Sequence, residues 1–182
     1  GLHDIGKVGM PDSVLKHNKS ARLTPGQMVE VRKHPARGAQ ILRDISFLAD
    51  VIPAAELHHE DWDGGGYPHG LKGEEIPLIA RIVAVADTYD AITTDRPYQK
   101  GKSYEEGHEI LRKIAGKRLQ PELVEKFIEG WKRYRKGPRR TLRTPRGEAS
   151  VEEAAKAAEA ATERLGDGPE IDDDLSQIIE IG

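Results

Sequence analysis

The sequence predicts an all-α domain, and three features carry that prediction. No segment alternates apolar and polar residues over the length of a strand. Aromatic residues make up only 5% of the chain, whereas strands favour aromatic and β-branched side chains. Helix-start signatures recur instead. Thr24-Pro25-Gly26-Gln27 and Ser103-Tyr104-Glu105-Glu106 each pair a hydroxyl N-cap with a Gln or Glu three residues on.

Composition sets the limits. The 182 residues hold one domain with a real core plus an appendage. With 37% hydrophobic and 32% charged residues, a soluble protein with a highly charged surface is expected. The net charge of -3 is too small to suggest binding to a nucleic-acid polymer. The absence of cysteine excludes disulfides, thiolate zinc sites and a cysteine nucleophile, and it fits a reducing cytoplasm. No apolar run is long enough to span a bilayer, and the start does not read as a signal peptide.

The elements follow in order. Leu2-His3-Asp4-Ile5-Gly6-Lys7 comes first, and on a helical turn the heads of His3, Asp4 and Lys7 converge. A His-Asp pair alone is more often a surface pair or a helix end. A short helix is expected over 11–15. The next starts at the Thr24 box with Pro25 in its first position and runs through Met28, Val29 and Val31. It bends or breaks at His34-Pro35 and resumes through Ile41 and Leu42. Taken alone, His34 reads as a polar surface residue, although an imidazole beside a kink can point inward. Residues 48–57 read as a helix with Pro53 near its first turn, delivering His58 and His59 at its end. Pro77 opens the most apolar helix, with Leu78, Ile79, Ala80, Ile82, Val83, Val85 and Ala86 on most of its circumference, which predicts a central, buried element. It ends near Thr93, followed by Arg96-Pro97-Tyr98. The Ser103 box opens a helix to about Gly116. Pro121 opens another, with Leu123, Val124, Phe127, Ile128 and Trp131 as its apolar stripe. Residues 1–137 thus form the domain. Residues 138–182 read as a basic linker, an Ala/Glu-rich helix over 150–165 and an acidic end, loosely attached.

The chemistry concentrates at 58–68, His-His-Glu-Asp-Trp-Asp-Gly-Gly-Gly-Tyr-Pro. Neutral imidazole is the commonest metal ligand, and carboxylates ligate hard ions or orient histidines from behind. Glycines let a ligand approach the main chain closely. Adjacent helical positions lie about 100° apart, so His58 and His59 suit two metals or two sides of one cluster. The plainer reading is a solvated pair complementing a helix C-terminus. Asp87 and Asp90 share one face of the apolar helix, where an unpartnered buried carboxylate is costly. A metal or a cation resolves that conflict, Arg81 and Arg96 being the ordinary candidates. Arginine and tyrosine, as in 96–98, suit recognition of phosphate and base.

Taken together, these residues resemble the HD-GYP family, a branch of the HD metal-dependent phosphohydrolases. The resemblance runs from about Leu2 to Phe127. It rests on His3-Asp4-Ile5-Gly6-Lys7, His34-Pro35, His58-His59-Glu60, Asp63-Gly64, Gly66-Tyr67-Pro68, Ala80-Arg81-Ile82 leading to Asp87, and Arg96-Pro97-Tyr98. It implies an HD-domain helical bundle that hydrolyses cyclic di-GMP with a bi- or trinuclear centre of iron or manganese. The implied metal ligands are His3, Asp4, His34, His58, His59 and Asp87, with Asp4 bridging. Asp4 and Lys7 are the implied catalytic residues. Lys7, Tyr67 and Arg96 contact the dinucleotide, with Asp90 nearby. The implied reaction is in-line attack of a metal-activated water on phosphorus, giving pGpG and, further on, GMP. Cytoplasmic signalling is implied, with diguanylate cyclase domains as partners. The family's domain begins upstream of its His-Asp pair, with helices that donate another histidine and, in trinuclear members, a glutamate. The chain is therefore expected to be a fragment of a longer protein that carries a sensor or receiver domain. Apolar surface at Ile79, Ile82 and their neighbours is expected to be exposed. A basic residue commonly follows the Arg-Pro-Tyr element; here Gln99 stands there and Lys100 follows. The alternatives are an HD hydrolase for another cyclic dinucleotide or phosphate ester, and a scaffold that binds nucleotide or a cyclase domain without turnover.

Overall fold

The structure is a computed structural model that describes residues 1–11, 14, 23–95 and 100–136. Arg96 and Gln99, most of the helix expected over 11–15, and the appendage at 138–182 lie outside the described residues. Among the described residues regular structure is helical, apart from one isolated bridge between Ala115 and Leu119. The α-helices are α1 (Pro25–Val31), α2 (His34–Arg43), α3 (Ile52–Leu57), α4 (Leu78–Thr93), α5 (Tyr104–Ile114) and α6 (Pro121–Lys136). Turns of 3-10 helix lie at Leu2–Lys7, Ser46–Val51 and Gly73–Glu75. No helix among these residues is long and apolar enough to cross a membrane.

The caps form where the sequence places them. Thr24 Oγ1 accepts the Gln27 N–H at 3.2 Å and Gln27 Oε1 accepts the Thr24 N–H at 2.9 Å. Ser103 and Glu106 close the same reciprocal pair at the start of α5. Two boundaries differ from expectation. The break between α1 and α2 falls at Arg32 and Lys33, and Pro35 sits in the first turn of α2. A proline there loses an N–H that has no helical partner anyway, so it opens a second helix and bends neither. The helix expected over 48–57 starts as the 3-10 turn and becomes α-helical only at Ile52, with Pro53 in its first turn.

The main core lies where α4, α5 and α6 meet, on Val85, Tyr89, Ile92, Ile110, Leu111, Leu119, Val124 and Ile128. Burying each such aliphatic side chain contributes about 1.5–3 kcal/mol. The α6 stripe is as read, with Val124 and Ile128 sealed and Leu123, Phe127 and Trp131 packed at the edge. Only part of α4 is central. Ala80, Ala84, Val85 and Tyr89 are buried, whereas Leu78 and Ile82 are 54% and 50% exposed. Ile82 thus lies open as expected, and Ile79 is half-buried.

One contact sets the position of the site. The Leu2–Lys7 turn lies against α2 so closely that a Cβ on Gly6 would stand 1.9 Å from the His34 carbonyl oxygen and 2.5 Å from the Gly38 nitrogen. Only glycine permits that approach of main chain to main chain.

Candidate metal centre

Four separate stretches deliver the donors. The first 3-10 turn carries His3, Asp4 and Lys7, α2 begins with His34, α3 ends into His58 and His59, and Asp87 lies on α4. His34, His58 and His59 are buried, and their ligating nitrogens lie within 4.8 Å of one another. His34 Nε2 is 3.5 Å from Asp4 Oδ1, and His3 Nε2 is 3.5 Å from Asp4 Oδ2 and 3.1 Å from Asp87 Oδ1. Asp4 therefore stands between the three buried imidazoles and the His3–Asp87 pair, one oxygen toward each. Two donors about 2.1 Å from a shared ion lie roughly 3.0–3.4 Å apart, which is the spacing seen here.

The hydrogen bonds fix the tautomers of the buried rings. His34 Nδ1 donates to the Val31 carbonyl at 2.8 Å, and His58 Nδ1 donates to those of Ala54 and Ala55 at 3.0 and 3.1 Å. A carbonyl only accepts, so both rings carry their proton on Nδ1. Burial pushes both imidazoles below their ordinary range, His58 to about 4, with His34 and His3 adding to the effect at His58. Both rings are thus neutral near pH 7, and their Nε2 lone pairs face each other at 3.3 Å. His59 is held well below the ordinary range by burial and then by His58 and His34. Its Nε2 is buried with no hydrogen-bond partner. Facing lone pairs repel, and a cation among them removes the conflict. At Asp87 burial favours the neutral acid, but the hydrogen bond from His3 and the positive charge around it hold the carboxyl below its usual range. A donor set of imidazole and carboxylate without thiolate fits a first-row divalent metal. The second ring nitrogens of His34 and His58 are already held by carbonyls, the usual orientation device for a ligating histidine.

The other predicted residues divide. Lys7 Nζ holds Asp4 Oδ1 at 2.9 Å. Tyr67 stacks on His59 with centroids 4.9 Å apart and rings 16° from parallel. Asp90 is exposed, and its Oδ1 accepts the Thr94 hydroxyl at 3.0 Å at the end of α4. It is not drawn into the cluster. Arg81 reaches Gln120 rather than Asp87. The carboxylates of the 58–68 stretch serve its loop, not the metal pocket. Glu60, only 3% exposed, accepts the N–H groups of His69 and Leu71 at 2.6 and 2.9 Å, and Asp61 accepts from Arg118 at 3.0 Å. Gly66 sits so close to this strand of chain that a Cβ would meet the Asp61 nitrogen at 2.1 Å. That closeness keeps Tyr67 over His59, with the Tyr67-Pro68 bond cis.

Arg32 was not singled out by its sequence position. Its guanidinium lies over the Tyr67 ring, 5.1 Å from the centroid. Its place two residues before His34 was the available signal, since the turn that aims His34 also aims Arg32.

The profile of the HD domain family matches residues 1–123. The chain belongs to the HD domain family. Among curated relatives of this HD domain, a cyclic di-GMP phosphodiesterase of Thermotoga maritima is 44% identical over 130 residues, covering 70% of the chain and 35% of the relative. A 3'3'-cGAMP-specific phosphodiesterase of Vibrio cholerae is 39% identical over 137 residues, covering 73% of the chain and 26% of the relative. The chain thus spans about a third or less of the length of these relatives. A solved cyclic GMP-AMP specific phosphodiesterase from V. cholerae shares the fold with a TM-score of 0.53 at 21% identity, over 98% of the chain and 45% of that structure.

Proposed function

We propose that this HD domain is a metal-dependent phosphodiesterase that cleaves cyclic di-GMP to pGpG, with GMP as the further product, in the cytoplasm. The observation that carries the reading is the set of buried, neutral imidazoles at His34, His58 and His59 joined through Asp4 to His3 and Asp87. The relatives named for cyclic di-GMP support the substrate. Iron or manganese, as a bi- or trinuclear centre held by those six residues, would supply Lewis acidity toward a phosphodiester oxygen and toward water. The chain's own residues do the remainder. Asp4 joins the two groups of donors, and its ion pair with Lys7 brings an ammonium to where charge develops on phosphorus. In this reading a guanine packs on the rim near Tyr67, and Arg96 completes the phosphate-binding rim. Diguanylate cyclase domains as partners, and a sensor or receiver segment in the full-length protein, belong to the same reading.

Metal analysis with a turnover assay tests it. The chain loaded anaerobically with iron or manganese is expected to convert cyclic di-GMP to pGpG. The H58A/H59A variant is expected to lose bound metal and at least 99% of turnover while keeping its helical circular dichroism. Undiminished turnover in that variant would defeat the metal assignment. Because a relative acts on 3'3'-cGAMP, that dinucleotide is run beside cyclic di-GMP, and faster cleavage of it would shift the substrate.

A further inference from the structure

Two helices that give the metal pocket no donor, α5 and α6, line an open groove of about 410 Å³. Grooves of that size take small organic ligands. Helical spacing sets the walls. Positions 105, 108, 109 and 112 share one face of α5, and positions 131, 132, 135 and 136 share one face of α6. Two of the lining side chains hold buried polar atoms that nothing satisfies. His108 is only 6% exposed and its Nε2 has no hydrogen-bond partner; the indole Nε1 of Trp131 is also buried and unpaired. A third such atom, the Tyr89 hydroxyl, belongs to the ring stacked on His108 with centroids 5.3 Å apart. Indole N–H can only donate, and leaving a buried donor without an acceptor is costly. Burial, then the charge of Lys132, holds His108 below the ordinary imidazole range, so near pH 7 the neutral ring donates or accepts at Nε2.

The charges around these atoms are of both signs. Lys132, Arg135 and Lys136 are exposed on α6, and Glu105 and Glu109 are exposed on α5. Arg112 is taken up by both oxygens of Glu125, at 2.7 and 2.8 Å. A bare anion would leave the carboxylates unanswered, and an uncharged base would leave the cations so. We propose that this groove is a second binding site, for a guanine mononucleotide, distinct from the metal pocket. The α6 cations hold the phosphate. Oxygens of the phosphate or sugar supply the acceptor that the Trp131 N–H lacks. A carboxylate of α5 takes the two adjacent N–H groups on the guanine edge; adenine presents a lone pair at N1 there and is disfavoured. The charged lining side chains are long and exposed, so they can rearrange to admit the ligand.

Equilibrium dialysis of the full chain against 5′-GMP, AMP and inorganic phosphate tests the site. One equivalent of GMP is expected to bind, about tenfold more tightly than AMP or phosphate, the worth of one charged hydrogen bond. That binding is expected to persist in H58A/H59A, which separates it from the metal pocket. Lys132→Gln/Lys136→Gln is expected to weaken it about tenfold, and Glu105→Gln/Glu109→Gln to narrow the preference for GMP over AMP. Trp62→Phe leaves Trp131 as the single tryptophan, and its fluorescence is expected to change on adding GMP. In Trp131→Phe, which keeps a ring and removes the N–H, affinity is expected to fall. Absence of saturable GMP binding, its loss in H58A/H59A, or an unchanged affinity in the lysine variant would overturn the site. Phosphate or AMP bound as tightly as GMP would overturn the assignment to guanine nucleotide.

Discussion

Glu60 shows how one side chain supports the site without facing it. Its buried carboxylate accepts two backbone N–H groups from the far side of the Gly-rich loop. Removing it strands two donors, at about 1–3 kcal/mol each. Glu60→Ala is expected to lower the denaturation midpoint accordingly and to raise KM for the dinucleotide, since Tyr67 loses its anchorage. Glu60→Gln retains one acceptor and should fall between. A midpoint unmoved in Glu60→Ala would mean that the loop is held elsewhere. The buried imidazoles give a pH dependence whose sign is fixed. His58 is lowered from 6.5 to about 4, so below pH 6.5 the unfolded chain takes up protons that the folded chain refuses. The stability this site contributes is whole above pH 6.5 and is lost as pH falls toward 4. Thermal unfolding of the metal-free chain should show Tm level above pH 6.5 and falling steadily below it. In H58Q/H59Q much of that slope should vanish, and an unaltered slope would assign the acid sensitivity to other groups.

Among the elements, α5 and the Leu2–Lys7 turn make opposite demands. The Ser103–Glu106 box is a local stabiliser on a helix that gives no side chain to the metal pocket. Ser103→Ala is expected to cost about 1 kcal/mol by urea unfolding and to leave metal content unchanged. Gly6→Ala is expected to do the reverse of a graded loss. A methyl at 1.9 Å from a carbonyl oxygen cannot be relieved by a side-chain rotation, so the turn must move off α2, carrying His3 and Asp4 with it. Loss of bound metal in Gly6→Ala, read by elemental analysis, checks this. The caps, the apolar stripe of α6 and the delivery of His58 and His59 at a helix end were all legible in the sequence, because each depends on residues a few positions apart. The break at Arg32 and Lys33 was not, because a proline can either end a helix or begin one, and only packing of α2 on the turn decides between them.

For the molecule as a whole, the candidate metal pocket ties three elements that lie outside the main core to α4, which lies within it. The main core joins α4, α5 and α6, whereas the donors come from the first turn, α2, α3 and α4. Bound metal should therefore raise the stability of the whole chain, by about 2.7 kcal/mol at a free concentration a hundred times Kd. Chelation followed by calorimetry is expected to lower Tm by several degrees, and H58A/H59A should show no such drop. The same long-range character explains what the sequence could not convey. His3, His58, His59 and Asp87 were legible as candidate donors from their types and motifs, whereas His34 taken alone read as a surface residue, and its place beside His58 shows only in the fold. The duty of Glu60 was not legible either, because it depends on a loop returning from about ten residues away, and the exposed place of Asp90 depends on how α4 ends. The closeness of Gly6 to α2 carries one last consequence. Donor spacing between the turn and α2 is set by two stretches of main chain in contact, with no intervening side chain to shrink or grow. Descendants of such a protein can exchange the residues around the mouth while inheriting an unaltered distance between His3 and Asp4 on one side and His34 on the other.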